Sequence, residues 1–175
     1  MKKKKYSREI KRSRWPDGVS KINEYLSDIG NKLDARNIVQ EMKMNGEESA
    51  LSIWNLDEPK DLVLSLITPG KQSVEKMCFI KIDEDLLVNN NLILKNDKGE
   101  SLVDSLNNNH YDIVDMKYNS LGNFSKVILE SLKNEKKNLI ILTKNEVVNI
   151  IKEAIEEGLI DKDRLNNKLV SEIFK

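Results

Sequence analysis

Residues 138–155 read NLIILTKNEVVNIIKEAI and predict a strand that leads directly into a helix. The apolar run 139–142 is short, as in a buried strand, and is followed by apolar residues at helical spacing until Gly158. Thr143 and Glu146 form the pattern of a capping box, in which each side chain binds a backbone amide at the start of a helix. This unit indicates a protein that packs helices against a sheet.

Other helices are predicted from apolar residues that recur three and four positions apart. Such stripes occupy residues 19–33, 34–45, 121–132 and 161–173, with Asp34 and Asp161 as candidate caps. Residues 60–67 fit a helix that begins near Pro59 and fit a strand equally well, so both alternatives stay open.

The predicted strands are residues 50–54, 77–82, 91–95, 101–103 and 111–118, with a hairpin turn at residues 96–99. Helices and strands together predict a mixed α+β fold. We expect residues 15–175 to form a single domain, with an N-terminal helical pair and a small central sheet flanked by C-terminal helices.

The composition is that of a globular chain, with 39% hydrophobic and 33% charged residues among 175. The longest apolar runs are far shorter than the ~20 residues that span a bilayer, and no apolar segment follows the basic start as in a secretory signal. We therefore expect a cytoplasmic protein. The lone Cys78 predicts a buried apolar side chain, without an internal disulfide or a cysteine metal site.

Charge is distributed unevenly along the chain. Residues 1–14 carry eight basic side chains and one acid, a net charge of +7, whereas the other residues carry 21 basic and 28 acidic side chains. This composition predicts a flexible basic arm over residues 1–14, whose removal leaves the fold intact. The arm could bind nucleic-acid phosphates. The candidate residues are Lys2, Lys3, Lys4, Lys5, Arg8, Lys11, Arg12 and Arg14.

One acidic residue and one lysine share a face of the strand predicted over residues 111–118. Asp115 and Lys117 are two positions apart, so both side chains would point the same way. The order helix, three strands, helix, strand resembles the core of the restriction-endonuclease-like nucleases. That resemblance implies a Mg²⁺ held by Asp115 and by Asp97 or Asp104, with Lys117 beside the scissile phosphate.

The same spacing of acid and lysine occurs elsewhere in the chain, at Glu9/Lys11, Glu41/Lys43, Glu58/Lys60 and Glu135/Lys137. His110, the single histidine, follows three asparagines and is interpreted as a surface residue of a loop. Residues 68–73, TPGKQS, lack the first glycine and the spacer of a phosphate-binding loop.

The preferred hypothesis is a non-catalytic protein without a cofactor or metal, which binds a macromolecular partner, in particular a protein, as an inhibitor, immunity-type or regulatory protein. Its acidic body could bind a basic partner, because complementary charge accelerates encounter. The alternatives are a nucleic-acid-associated accessory protein that uses the basic arm, and the Mg²⁺-dependent nuclease.

Overall fold

Six strands form one antiparallel sheet in the computed structural model, which describes residues 4–33 and 50–175. The α+β class predicted from the sequence is confirmed. The strands are β1 (Lys5–Glu9), β2 (Leu51–Trp54), β3 (Met77–Asp83), β4 (Ile93–Asn96), β5 (His110–Val114) and β6 (Leu139–Leu142). Their order across the sheet is β4-β5-β2-β1-β3-β6.

Helices connect and cover these strands. They are α1 (Val19–Ser27), α2 (Ile29–Lys32), α3 (Pro59–Ser65), α4 (Glu84–Asn89), α5 (Tyr118–Leu132), α6 (Glu135–Asn138), α7 (Lys144–Glu156) and α8 (Asn167–Ile173). Short 3-10 helices span Arg12–Arg14, Asp104–Asn109 and Lys162–Arg164. The open question at residues 60–67 is answered by helix α3, which has Pro59 at its start. The helix predicted over 34–45 lies outside the described residues.

The sheet separates two apolar clusters because successive residues of a strand face opposite sides. Ile53 and Ile80 belong to the cluster that includes residues of α1 and α5. Their neighbours Trp54 and Phe79 belong to the cluster that includes residues of α3, α7 and α8. The sheet is therefore covered by helices on both faces.

The prediction of a flexible arm over residues 1–14 is wrong for its described part. β1 lies inside the sheet, and its register with β3 runs from Lys5 opposite Asp83 to Glu9 opposite Phe79. Tyr6 is buried in the core. Acidic partners offset the repulsion among the basic side chains, as in the ion pair of Lys5 with Asp83 at 3.7 Å.

Three local predictions also require correction. β5 ends at Val114 rather than at residue 118, because Asp115 takes a positive φ of 55° that turns the chain toward α5. Residues 101–103 form no strand. Asp161 caps the 3-10 helix that follows it, whereas the side chain of Asn166 caps α8. The capping box of Thr143 and Glu146 is confirmed at the start of α7.

Candidate functional site

The structure does not bring together Asp115 and the earlier carboxylates, Asp97 and Asp104, on which the nuclease hypothesis depends. The Asp97 amide donates to the His110 carbonyl at 3.3 Å, at the first residue of β5, whereas Asp115 follows the last residue. His110 and Asp115 are five positions apart, which corresponds to about 16 Å along an extended strand. Asp97 and Asp115 therefore lie near opposite ends of β5. Asp104 begins the 3-10 helix that precedes β5. Within residues 4–33 and 50–175, no group of three or more His, Cys, Asp or Glu side chains is placed to hold a metal ion.

Asp115 and Lys117 lie in the turn after β5 rather than on one strand face. The Lys117 ammonium is 3.2 Å from the Asp115 carboxylate, and both side chains are largely exposed. The expectation that the two groups project together from a strand is therefore wrong, since the strand has already ended.

Two arginines of the basic stretch are engaged within the fold. Arg8 is only 9% exposed and donates to the Ser52 carbonyl at 2.6 Å. Arg12 donates to the Trp15 carbonyl at 2.8 Å and forms ion pairs with Asp17 and Glu135. These contacts are structural ones. Lys2 and Lys3 lie outside the described residues.

The remaining lysines at the start of β1 line an open groove of about 910 Å³. Its lining residues are Lys4, Lys5, Asn55, Asp57, Lys81, Asp83, Asp85, Leu86 and Lys137. Lysines and acids alternate here, and Lys81 is 3.5 Å from Asp57. The mixture of charges weakens the positive potential that phosphate groups require.

Negative charge is concentrated in residues 83–115, which we call the acidic segment. The acids are Asp83, Glu84, Asp85, Asp97, Glu100, Asp104, Asp112 and Asp115, against Lys95 and Lys98, a net charge of −6. The segment begins at the end of the interior strand β3, continues through α4, and reaches one edge of the sheet only with β4 and β5. Two apolar side chains of this segment face solvent, Val88 at 60% and Ile93 at 56% exposure.

A cleft of about 560 Å³ opens beside β5, and we call it the β2–β5 cleft. Its walls are residues of β2 and β5, the loop after β4 and the end of α3. The lining residues are Ser52, Trp54, Ser65, Leu66, Thr68, Asp97, Lys98, Gly99, Glu100, His110 and Asp112. Three carboxylates and one lysine give this lining a net charge of −2 when the histidine is neutral.

The loop that forms one wall of the cleft is fixed by hydrogen bonds to Asn107. The Asn107 side chain accepts from the Ser101 amide at 2.8 Å and donates to the Ser101 carbonyl at 3.0 Å. The Gly99 amide donates to the Asn107 carbonyl at 3.0 Å. A β-carbon on Gly99 would lie 2.4 Å from the Trp54 ring, so only glycine permits this approach. The wall is therefore held against the indole.

His110 and Asp112 form the polar centre of the cleft. His110 is 8% exposed, and its ring packs edge-on against Trp54 with centroids 4.7 Å apart. The His110 Nε2 atom is 3.8 Å from the Asp112 Oδ1 atom. His110 Nδ1 and Asp112 Oδ1 are buried and have no hydrogen-bond partner among residues 4–33 and 50–175. Such unpartnered polar atoms are rare inside proteins and need an explanation.

The interpretation of His110 as a surface loop residue is wrong. Tyr111 and Ile113 pack into or against the core of one face, so His110 and Asp112 must face the other side of the sheet. This alternation was visible in the sequence and could have indicated a strand with two polar groups on one face.

The strand register determines the neighbours of these two groups. Ser52 is directly opposite Asp112, and Trp54 is directly opposite His110. The cross-strand neighbour of the histidine is thus an indole rather than a hydroxyl nucleophile. The arrangement supplies acceptors and negative charge for binding a ligand.

No helix within the described residues is long and apolar enough to cross a membrane. Comparisons of the chain with models of known protein families, with curated proteins and with solved structures found no match.

Proposed function

We propose that this chain is a non-catalytic cytoplasmic protein that binds a basic protein through the β4–β5 edge of its sheet. The observation that carries this proposal is the charge of residues 93–115, from β4 to the turn after β5, where five carboxylates against two lysines give a net charge of −3, combined with the exposed Ile93 on the outer strand β4. An inhibitor, an immunity-type protein or a regulator of a basic toxin or nucleic-acid enzyme would have this charge.

Charge and apolar surface contribute differently to such a complex. The carboxylates accelerate encounter with a basic partner and reject acidic ones. The apolar side chains of Ile93 and Val88 supply surface whose removal from water favours binding. An edge strand also leaves main-chain groups available, since no strand of the described part pairs with the outer side of β4.

The experiment is affinity purification from the native cell with three forms of the protein. The first is the unchanged chain, and the second carries Asp97→Asn, Glu100→Gln and Asp104→Asn, all at exposed positions of the acidic segment. The third is a matched control with the same change of charge, Glu153→Gln, Glu156→Gln and Asp163→Asn, at exposed positions of the C-terminal part.

We expect the unchanged chain and the control to retain the same basic protein, and the Asp97, Glu100 and Asp104 variant to lose it. Retention should also weaken as salt rises, because ions screen charges across an exposed interface. Equal loss of the partner from both triple variants would contradict binding at this edge. Retention of an acidic partner or of nucleic acid alone would contradict the proposed class of partner.

A further inference from the structure

We propose that the β2–β5 cleft is the anchor site of the interface and takes an arginine side chain of the basic partner. This inference rests on the proposed function and adds the chemical identity of the group that is bound. Two independent features of the cleft support it, namely the unpartnered polar groups in its wall and the carboxylates at its mouth.

The first feature is the pair His110 and Asp112. Both line the cleft, yet His110 Nδ1 and Asp112 Oδ1 have no hydrogen-bond partner in the described structure. A buried carboxylate oxygen without a partner is costly, so a donor that reached the covered Asp112 Oδ1 atom would recover that cost. The Asp112 side chain retains 15% of its surface open to solvent, so a rotation of its carboxylate plane presents an oxygen to an incoming donor.

The second feature is the sign of the charge. Asp97 and Glu100 are exposed and lie on the loop that forms the mouth, and Asp112 lies on the strand behind them. Lys98 on the same loop opposes a cation but leaves the lining net negative. A cation is therefore favoured over an anion or a neutral group.

The distribution of acceptors distinguishes arginine from lysine. Acceptors lie both on the strand, at Asp112, and on the loop, at Asp97 and Glu100. A guanidinium group presents five donors in one plane and can bind two carboxylates at once, whereas an ammonium group is a compact and strongly hydrated charge. Burial of a guanidinium among such acceptors also matches the enrichment of arginine at interface centres.

The test uses small probes and the intact protein. N-acetyl-arginine methylamide is titrated while the backbone amide signal of Gly99 and the indole signal of Trp54 are followed by NMR. The controls are the corresponding citrulline compound, which has the same length without the charge, and the corresponding lysine compound.

We expect saturable shifts at Gly99 and Trp54 with the arginine probe, weaker binding of the lysine probe and no binding of the citrulline probe. Asp112→Asn should weaken the arginine probe by about tenfold, since a charged hydrogen bond becomes a neutral one. Glu153→Gln on α7 should leave binding unchanged. If Asp112→Asn fails to fold, Asp97→Asn with Glu100→Gln replaces it, because both positions are exposed and the loss of two carboxylates should also weaken binding.

The inference is overturned if arginine produces no shift at Gly99 and Trp54, or if citrulline binds as well as arginine. If the arginine probe does not bind but affinity purification still captures a basic partner in a charge-sensitive way, the anchor site is contradicted and the proposed function is not. Arginine binding without any captured partner would support the chemistry of the cleft and contradict the proposed function.

Discussion

Tyr6 occupies the middle of the sheet, where its hydroxyl lies beside a carboxylate. The ring packs edge-on against Tyr111 at 5.1 Å, and the hydroxyl donates to Glu84 at 3.4 Å. Burial, and then the nearby charge of Glu84, raises the pKa of Tyr6 to about 12 from an ordinary value of 10.0. The folded state therefore favours the neutral phenol.

This shift predicts a loss of stability in alkali. The pKa of Tyr6 is higher in the folded state than in the unfolded state. The stability that Tyr6 contributes to the folded state is therefore fully present below pH 10 and is lost as the pH rises toward 12. The loss is on the order of 2 kcal/mol in the free energy of unfolding. Tyr6→Phe cannot ionise, so urea unfolding of this variant should show a smaller decrease between pH 10 and 12. Parallel decreases in both proteins would contradict the assignment.

His110 and Asp112 show why the candidate site was only partly predictable at the residue scale. The burial of Cys78 follows from its apolar neighbours in the sequence, and the structure has it. The hairpin turn predicted at residues 96–99 is wrong, because Asn96 ends β4 and the chain continues in an irregular loop to the 3-10 helix that begins at Asp104. The cleft depends instead on the register that sets Trp54 opposite His110, across 56 positions of sequence. No local pattern contains that information.

At the scale of elements, the start of α7 is the strongest local signal in the chain. The Thr143 hydroxyl accepts from the Glu146 amide at 3.3 Å, and the Thr143 amide donates to the Glu146 carboxylate at 2.7 Å. The Thr143 hydroxyl also donates to the Glu146 carboxylate at 2.7 Å, and this hydrogen bond, followed by that of the Thr143 amide, lowers the pKa of Glu146. The contribution of the capping box is therefore present above the ordinary pKa of glutamate and is lost as the pH falls through the lowered value.

Thr143→Ala should lower the free energy of unfolding by about 1 kcal/mol, because one amide at the helix start loses its acceptor. Thr143→Ser is the matched control, since it retains the hydroxyl and should remain close to the unchanged protein. Chemical denaturation measures both variants. Equal stability of the alanine and serine variants would show that the cap contributes nothing.

Elements differ in how far the sequence predicts them. β6 and α7 were predicted because their apolar pattern and cap are local. The sequence does not predict β1, because residues 1–14 carry eight basic side chains and one acid and resemble a solvated tail. Its strand structure depends on pairing with β2 and β3, which are far away in the sequence. Pairing with distant strands, rather than local composition, therefore determines the structure of this segment.

For the whole molecule, the position of β1 changes the result expected when residues 1–14 are deleted. The sequence alone predicts that the shortened chain still folds, whereas the structure predicts that it does not. Deletion of residues 1–14 removes a strand between β2 and β3, and with it the buried side chains of Tyr6 and Ile10. We expect this truncated chain to lose cooperative thermal unfolding. Deletion of residues 1–3 keeps all of β1 and should preserve the transition. Calorimetry of both forms decides the point, and a normal transition without residues 1–14 would contradict the structural role of β1.

The two outer strands of the sheet offer a matched comparison for the proposed interface. Ile93 on β4 is 56% exposed, and Ile141 on β6 is 49% exposed, so a photoreactive side chain is similarly accessible at either position. Only β4 belongs to the acidic segment.

Photocrosslinking in the native cell, with a photoreactive residue at Ile93 or at Ile141, tests the proposed interface most directly. We expect a covalent adduct with a basic protein from position 93, reduced by the Asp97, Glu100 and Asp104 substitutions, and little or no adduct from position 141. An adduct formed from position 141 and absent from position 93 would contradict binding at the β4–β5 edge.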